Sequence, residues 1–180
     1  MKFKYWCWNK YLSMENIKDV NKKIKTHSIV EKDSPSDSKK TSIVKFIKYN
    51  SLKSYLNNCI NTLYNCNEKQ FGAKLYAFPE DTLFHYNIYS NGAEYNWHID
   101  ANGYNDEHDI KFTILINMST GPYKGGKFKL WFDEKPRTIT ELDKPGDMVM
   151  FRSYYLHKVT PVTKGIRQTL TLFLTGPRLQ

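Results

Sequence analysis

From Phe71 onward the 180-residue chain is cut into short apolar runs: FGAKLYAF, LFHYNIYS, EYNWHI, KFTILINM, KFKLWF, RTITEL, DMVMF, HKVTPV and QTLTLFLT. The breaks between them carry turn-formers, as in AFPED, NGYND, TGPYKGG, DEKP, DKPGD and TKG. Runs of this length, rich in β-branched and aromatic residues, read as strands. Many short strands at roughly ten-residue spacing predict an antiparallel sandwich or jelly roll; a parallel sheet would need a crossover helix between successive strands.

The first half reads differently. Ser13 stands before Met14, Ile17, Val20 and Ile24, and Ser51 before Leu52, Leu56, Cys59, Ile60 and Leu63; both spacings predict an amphipathic helix behind an N-cap. Between them, EKDSPSDSKK is polar and proline-containing and reads as a surface loop, and TSIVKFIKY reads as a strand. The expected organisation is one domain over residues 1–180, mainly β within an α+β class. Residues 1–70 would form a helical support region and residues 71–177 the core.

Composition excludes several classes. With 40% hydrophobic and 15% aromatic residues the chain can bury a core, and no apolar run approaches the length of a membrane span. The start MKFKYWCWNKYLSMEN lacks the pattern of a signal peptide, so the cytoplasm is the expected location, that of the host if the protein is viral. Cys7, Cys59 and Cys66 show no metal or redox spacing and read as reduced thiols. The net charge of +9 sits mostly in residues 1–80, with 15 lysines against 7 acids; residues 81–180 hold 12 basic residues against 11 acids. The lysines are scattered and no aromatic-and-basic stripe accompanies them, so a solvated surface is favoured over a nucleic-acid groove.

Tyr89 to Asp100, YSNGAEYNWHID, places His98 and Asp100 two residues apart, on one face of a strand. Chance alone supplies such a pair roughly 0.3 times in this composition, so the pair needs company. It comes from PGDMVMFRSYYLHKVTPVTKGIRQTLTLFLTGP: a Pro-Gly-Asp turn, then His157, then Arg167 after a Lys-Gly turn. Two histidines and a carboxylate suit one side of a divalent iron with positions left open. The Arg167 fork suits a carboxylate, and Thr169 shares its strand face.

Taken in order, Tyr89, Gly92, Tyr95, His98, Asp100, Gly125-Gly126, Pro145-Gly146-Asp147, Phe151, His157, Pro161-Val162, Gly165 and Arg167-x-Thr169 resemble a 2-oxoglutarate- and Fe(II)-dependent dioxygenase of the prolyl 4-hydroxylase type. The resemblance covers about residues 71–177 and is similar to the short single-domain members of bacteria and bacteriophages. It implies a double-stranded β-helix, with His98, Asp100 and His157 as Fe(II) ligands and catalytic centre. Arg167 and Thr169 would hold the far carboxylate of 2-oxoglutarate, with Tyr89 donating a hydrogen bond. Asn117 stands where many relatives carry a tyrosine that helps to hold the co-substrate, so either Asn117 makes a different contact or Tyr89 does that work alone. Dioxygen is the third reactant, and ascorbate is expected to support turnover.

The implied activity is hydroxylation of an unactivated C–H, with peptidyl proline as first substrate and a protein or peptide as partner. Alternatives are another protein residue or a free amino acid, an AlkB-type nucleic-acid demethylase, or a metal-free binding module. The demethylases resemble one another in a second arginine six residues after the first, where this chain has Phe173. The other histidines, His27, His85 and His108, read as surface or core residues. Arg152 reads as solvent-facing, and Trp97, Trp131, Tyr154 and Tyr155 as packing residues. Specificity is expected in loops EKDSPSDSKK, ANGYNDEHD and STGPYKGG. No membrane partner is expected, and sequence is silent on oligomeric state.

Overall fold

The computed structural model describes residues 3–30, 40–101 and 108–178. The loop EKDSPSDSKK, apart from Lys40, and most of ANGYNDEHD lie outside the described residues. Thirteen strands are described: β1 (Tyr5–Trp8), β2 (Ile29–Val30), β3 (Ile43–Lys48), β4 (Leu83–Tyr89), β5 (Tyr95–His98), β6 (His108–Asn117), β7 (Lys124–Gly125), β8 (Phe128–Phe132), β9 (Lys135–Thr138), β10 (Met148–Arg152), β11 (His157–Val159), β12 (Val162–Lys164) and β13 (Arg167–Pro177). Helices α1 (Met14–His27) and α2 (Tyr49–Cys66) precede β4. Among the described residues no helix is long and apolar enough to cross a membrane.

A seven-stranded sheet runs β1-β10-β6-β13-β4-β3-β2 and faces a four-stranded sheet β5-β11-β8-β9, with β7 and β12 paired separately. Every pairing between these strands is antiparallel. This is the jelly roll expected from the strand spacing. Alternation along the central strands divides the molecule into two cores. Leu170, Leu172 and Leu174 of β13, with Phe112, Ile114 and Ile116 of β6 and Met148 and Met150 of β10, pack on the helices. Leu115 of β6 and Val149 and Phe151 of β10 face the other way, onto Phe128, Leu130, Phe132 and Val159 of the smaller sheet.

The helices form where their apolar spacing allows one face to be buried. In α1, Ile17, Val20 and Ile24 are buried, and Ser13 accepts the Asn16 N–H as N-cap. Asn21 is buried on that face and ties α1 to the sheet, donating to the Met118 carbonyl (3.0 Å) and accepting from Tyr86 Oη (2.9 Å). Helix α2 begins at Tyr49, two residues before the expected cap Ser51, because β3 runs straight into it and the Thr82 carbonyl accepts the Tyr49 N–H (2.8 Å). A backbone acceptor thus replaces the side-chain cap.

Two expectations change. Residues 1–70 supply three strands to the larger sheet as well as the helices, so the region is more than a helical support. The run FGAKLYAF is no strand: α2 widens into a π-helical turn (Asn67–Phe71) ending at Gly72, and the Asn67 amide takes both backbone groups of Ala73 (2.8 and 3.0 Å). Tyr64 Oη takes the Tyr76 carbonyl, leaving the Tyr76 N–H bonded to Thr175. Ladder partners are therefore occupied locally. RTITEL likewise splits into β9 and a 3-10 turn (Thr140–Leu142).

The Pro-Gly-Asp turn locks the amino-terminal segment to β10. Gly146 has φ +82° and lies so close to the Leu12 carbonyl that a Cβ would overlap it. The buried Asp147 carboxylate accepts the N–H groups of Lys10 and Lys144, both at 2.9 Å. Leu56 is fully buried between α2 and the larger sheet, away from the smaller one. Leu56→Ala is expected to lower the unfolding free energy by about 2–5 kcal/mol, read from urea denaturation, through lost burial and a residual cavity.

Candidate metal centre

β11 lies between β5 and β8, and its register sets His157 directly opposite His98. Their rings come within 4.0 Å, centroid to centroid. The strand ends at His98, so Asp100 follows in a bend, where its N–H donates to the Ser153 carbonyl (3.0 Å). The carboxylate then reaches both imidazoles: Oδ1 is 3.6 Å from His98 Nε2 and Oδ2 is 3.2 Å from His157 Nε2. The three candidate ligand atoms all lie within 4.8 Å of one another. Neighbouring ligands on an octahedral ion with bonds of about 2.1 Å sit roughly 3 Å apart, so the cluster fits one side of such an ion.

The imidazoles are fixed from behind. Nδ1 of His98 is 2.7 Å from the Asn96 carbonyl and Nδ1 of His157 is 2.9 Å from the Tyr155 carbonyl. A carbonyl can only accept, so each ring carries a proton on Nδ1 and turns its Nε2 edge inward, the orientation of metal-bound histidines. Tyr95 stacks on His98 at 3.4 Å and Phe151 meets His157 edge-on. Burial, and then the neighbouring His157, bring His98 down to about 4, so it is neutral at physiological pH. Burial by itself would raise Asp100. The hydrogen bond and charge of His157, with His98 and Thr113, outweigh it and hold the carboxyl below its ordinary value. An ionised carboxylate beside a neutral imidazole is the charge state a divalent cation requires.

The triad opens into a cavity of about 290 Å³ between the sheets, whose walls include Lys40, His85, Asn87, Tyr89, Thr171 and Phe173. Tyr89 joins this cavity to Arg167, whose guanidinium carbon lies 5.4 Å from the tyrosine ring centroid. Arg167 is 1% exposed and its Nη1 has no hydrogen-bond partner among the described residues. A buried cation without a partner is costly and marks a place for an anion. Gly126 allows the approach: at φ +57° it leaves room that a Cβ, 2.8 Å from Arg167 Cδ, would take. Thr169 is buried on the same face of β13, paired with Asn117 on one side and Asn87 on the other.

Asn117 is committed elsewhere. Its Nδ2 donates to Tyr123 Oη (3.1 Å) and the Leu142 carbonyl (3.0 Å), and its Oδ1 accepts the Ser119 N–H (3.0 Å). The side chain is fully buried and does not line the cavity. A different contact is what the structure gives it, with loop and strand held together.

The cavity holds two residues that sequence reasoning passed over. His85 stands between the rings of Phe46 and Phe173, and burial, then Lys40, bring it down to about 4. Asn87 donates to Thr171 Oγ1 (3.1 Å) while its buried Oδ1 has no partner among the described residues. The period-2 alternation back from Tyr89 was the available signal, since 85, 87 and 89 share a strand face. Arg152 faces neither solvent nor cavity: it donates to the Phe71 carbonyl (2.9 Å) and lies over the Phe112 ring on the helix side. Trp131 and Tyr154 are exposed, and Trp131 meets Trp97 edge-on.

Removing the Asn117 amide strands Tyr123, Leu142 and Ser119 without touching the triad. Asn117→Ala is expected to cost about 1–3 kcal/mol of stability in denaturant unfolding, with divalent-metal affinity measured by calorimetry unchanged.

A family model described as the 2OG-Fe(II) oxygenase superfamily matches residues 84–175, just over half of the chain. A PKHD-type hydroxylase of Aliarcobacter butzleri is 32% identical over 131 residues, covering 68% of this chain and 55% of that protein. The chain thus spans about half the length, or less, of the curated relatives it matches. A Pseudomonas putida prolyl-4-hydroxylase superposes with TM-score 0.75 at 18% identity, covering 97% of this chain and 94% of that one. A viral collagen prolyl hydroxylase from Paramecium Bursaria Chlorella virus-1, in its 2OG complex, gives 0.68 at 15% identity, with 97% of each chain covered. At such identities the superpositions speak for the jelly roll. With the family model lying across every strand of the triad and its arginine, the chain belongs to the 2OG-Fe(II) oxygenase superfamily.

Proposed function

We propose that the chain is an Fe(II)- and 2-oxoglutarate-dependent hydroxylase acting on a residue of a protein or peptide, peptidyl proline first, with release of succinate and CO2. The observation that carries this reading is the inward-turned triad together with a buried guanidinium whose Nη1 has no hydrogen-bond partner among the described residues. In this reading His98, Asp100 and His157 hold the iron, and Arg167 and Thr169 take the distal carboxylate of 2-oxoglutarate beside Tyr89. When bound, iron and co-substrate supply the oxidising power needed to break an unactivated C–H bond in the presence of dioxygen.

The chain's own contribution is to bind, orient and keep dry. The carbonyls of Asn96 and Tyr155 hold both imidazoles in one orientation. Leu115, Phe128, Val159 and Phe173 give the cavity apolar walls, which strengthen the Arg167 pairing by excluding water. The names of the relatives and structural neighbours, hydroxylases and prolyl hydroxylases, favour a peptide substrate. Phe173 puts an apolar ring in the cavity wall where the nucleic-acid demethylases resemble one another in an arginine, which keeps that alternative second.

Purified protein with Fe(II), 2-oxoglutarate and ascorbate should release succinate in the presence of proline-containing proteins, each modified peptide gaining the mass of one oxygen atom. EDTA should stop the reaction and added Fe(II) restore it; His157→Ala should show neither product. Succinate that never rises above the peptide-free level would sink the proline assignment. Arg167→Lys keeps the charge but loses the two-pronged contact, so KM for 2-oxoglutarate should rise roughly 10- to 100-fold with kcat far less affected. Equal loss in both at saturating co-substrate would contradict the anchoring role.

A further inference from the structure

Asp100 is held by two hydroxyls that belong to no metal-ligand set. Thr113 Oγ1 of β6 is 2.7 Å from Asp100 Oδ2 and 3.0 Å from Ser153 Oγ. An ionised carboxylate can only accept, so Thr113 spends its one proton on Asp100 and takes the Ser153 hydroxyl as its own donor. The direction of the chain Ser153 to Thr113 to Asp100 is thereby set, and each bond polarises the next. Both residues are fully buried, so water does not compete.

Ser153 also fixes the backbone that carries the carboxylate. Its carbonyl accepts the N–H groups of Asp100 (3.0 Å) and Ala101 (3.2 Å), and its own N–H donates to the Lys111 carbonyl (3.2 Å). One residue therefore holds the main chain of Asp100 directly and its side chain through Thr113. Two residues on, the Tyr155 carbonyl orients His157. Thr113 sits in a strand whose neighbours in register are Phe151 and Phe173. Valine would fill that space, and a buried hydroxyl costs free energy unless it makes hydrogen bonds; here it makes two.

We propose that Thr113, oriented by Ser153, is a positioning residue for the metal-binding carboxylate, holding Asp100 in the rotation at which it faces both histidines. The inference rests on the triad being a metal site. Without the Thr113 donor the carboxylate turns about its last bond, and metal binding must first restore its orientation.

Co(II), an air-stable stand-in for Fe(II), can be titrated into the wild type, Thr113→Val, Thr113→Ser and Ser153→Ala, followed by its visible absorption and by calorimetry. The valine variant should bind with Kd raised roughly 10- to 100-fold, the usual effect of losing an outer hydrogen bond to a metal ligand. The serine variant should recover most of the affinity, and Ser153→Ala should fall between. Thermal midpoints of the metal-free proteins, within about 5 °C of one another, would show that folding is not what changed. Wild-type affinity in Thr113→Val, or a serine variant as weak as the valine one, overturns the positioning role while leaving the metal site standing. A wild-type protein that takes up no Co(II) overturns both.

Discussion

The antiparallel register of β11 between β5 and β8 is the constraint on which the rest depends, because it alone puts His157 opposite His98. Side chains alternate along a strand, so a slip of one residue would turn both Val159 and His157 out of the sandwich and leave Lys158 facing the cavity. The register is held by the apolar residues that share the inner face, Leu130 and Phe128 on β8 and Val159 on β11. The same packing that stabilises the sandwich therefore places the two imidazoles together.

Charge is admitted to this interior only where something answers it. Asp100 is answered by the Thr113 hydroxyl, and Asp147 by two backbone N–H groups. Arg167 differs, since its buried Nη1 has no partner among the described residues. In a family whose members use 2-oxoglutarate, a buried guanidinium beside Tyr89, itself in the wall of the triad's cavity, is the feature that connects fold to chemistry. Its burial, enforced by Gly126 and Tyr89, makes pairing with a carboxylate stronger than the same pair exposed to water.

The larger sheet separates two tasks. Its outer face, with Leu170, Leu172 and Leu174, supplies the contact with α1 and α2. Its inner face carries Arg167, Thr169, Thr171 and Phe173 from the same strand, three of them polar. A strand with both faces buried in this way cannot be polar on both. The polar residues are tolerated because the hydrophobic contribution comes from the helix side.

Much was legible in the sequence for physical reasons. The antiparallel class follows from apolar runs too short for helices and separated by turn-formers, and the inward face of β13 follows from its period of two. The grouping of His98, Asp100, His157 and Arg167 could be read because their spacing, in order, resembles one family. The reading failed where other groups took the hydrogen-bond partners: the Asn67 and Tyr64 side chains occupy those that FGAKLYAF would have needed as a strand, and the Thr82 backbone carbonyl caps α2 in place of Ser51. Tertiary structure alone decided that Asn117 serves a loop, that Arg152 lies on the helix side, and that Thr113 and Ser153 stand behind Asp100. Each of these depends on contacts between residues distant in the chain, and a pattern of local periodicity carries no record of which partner a polar atom will meet.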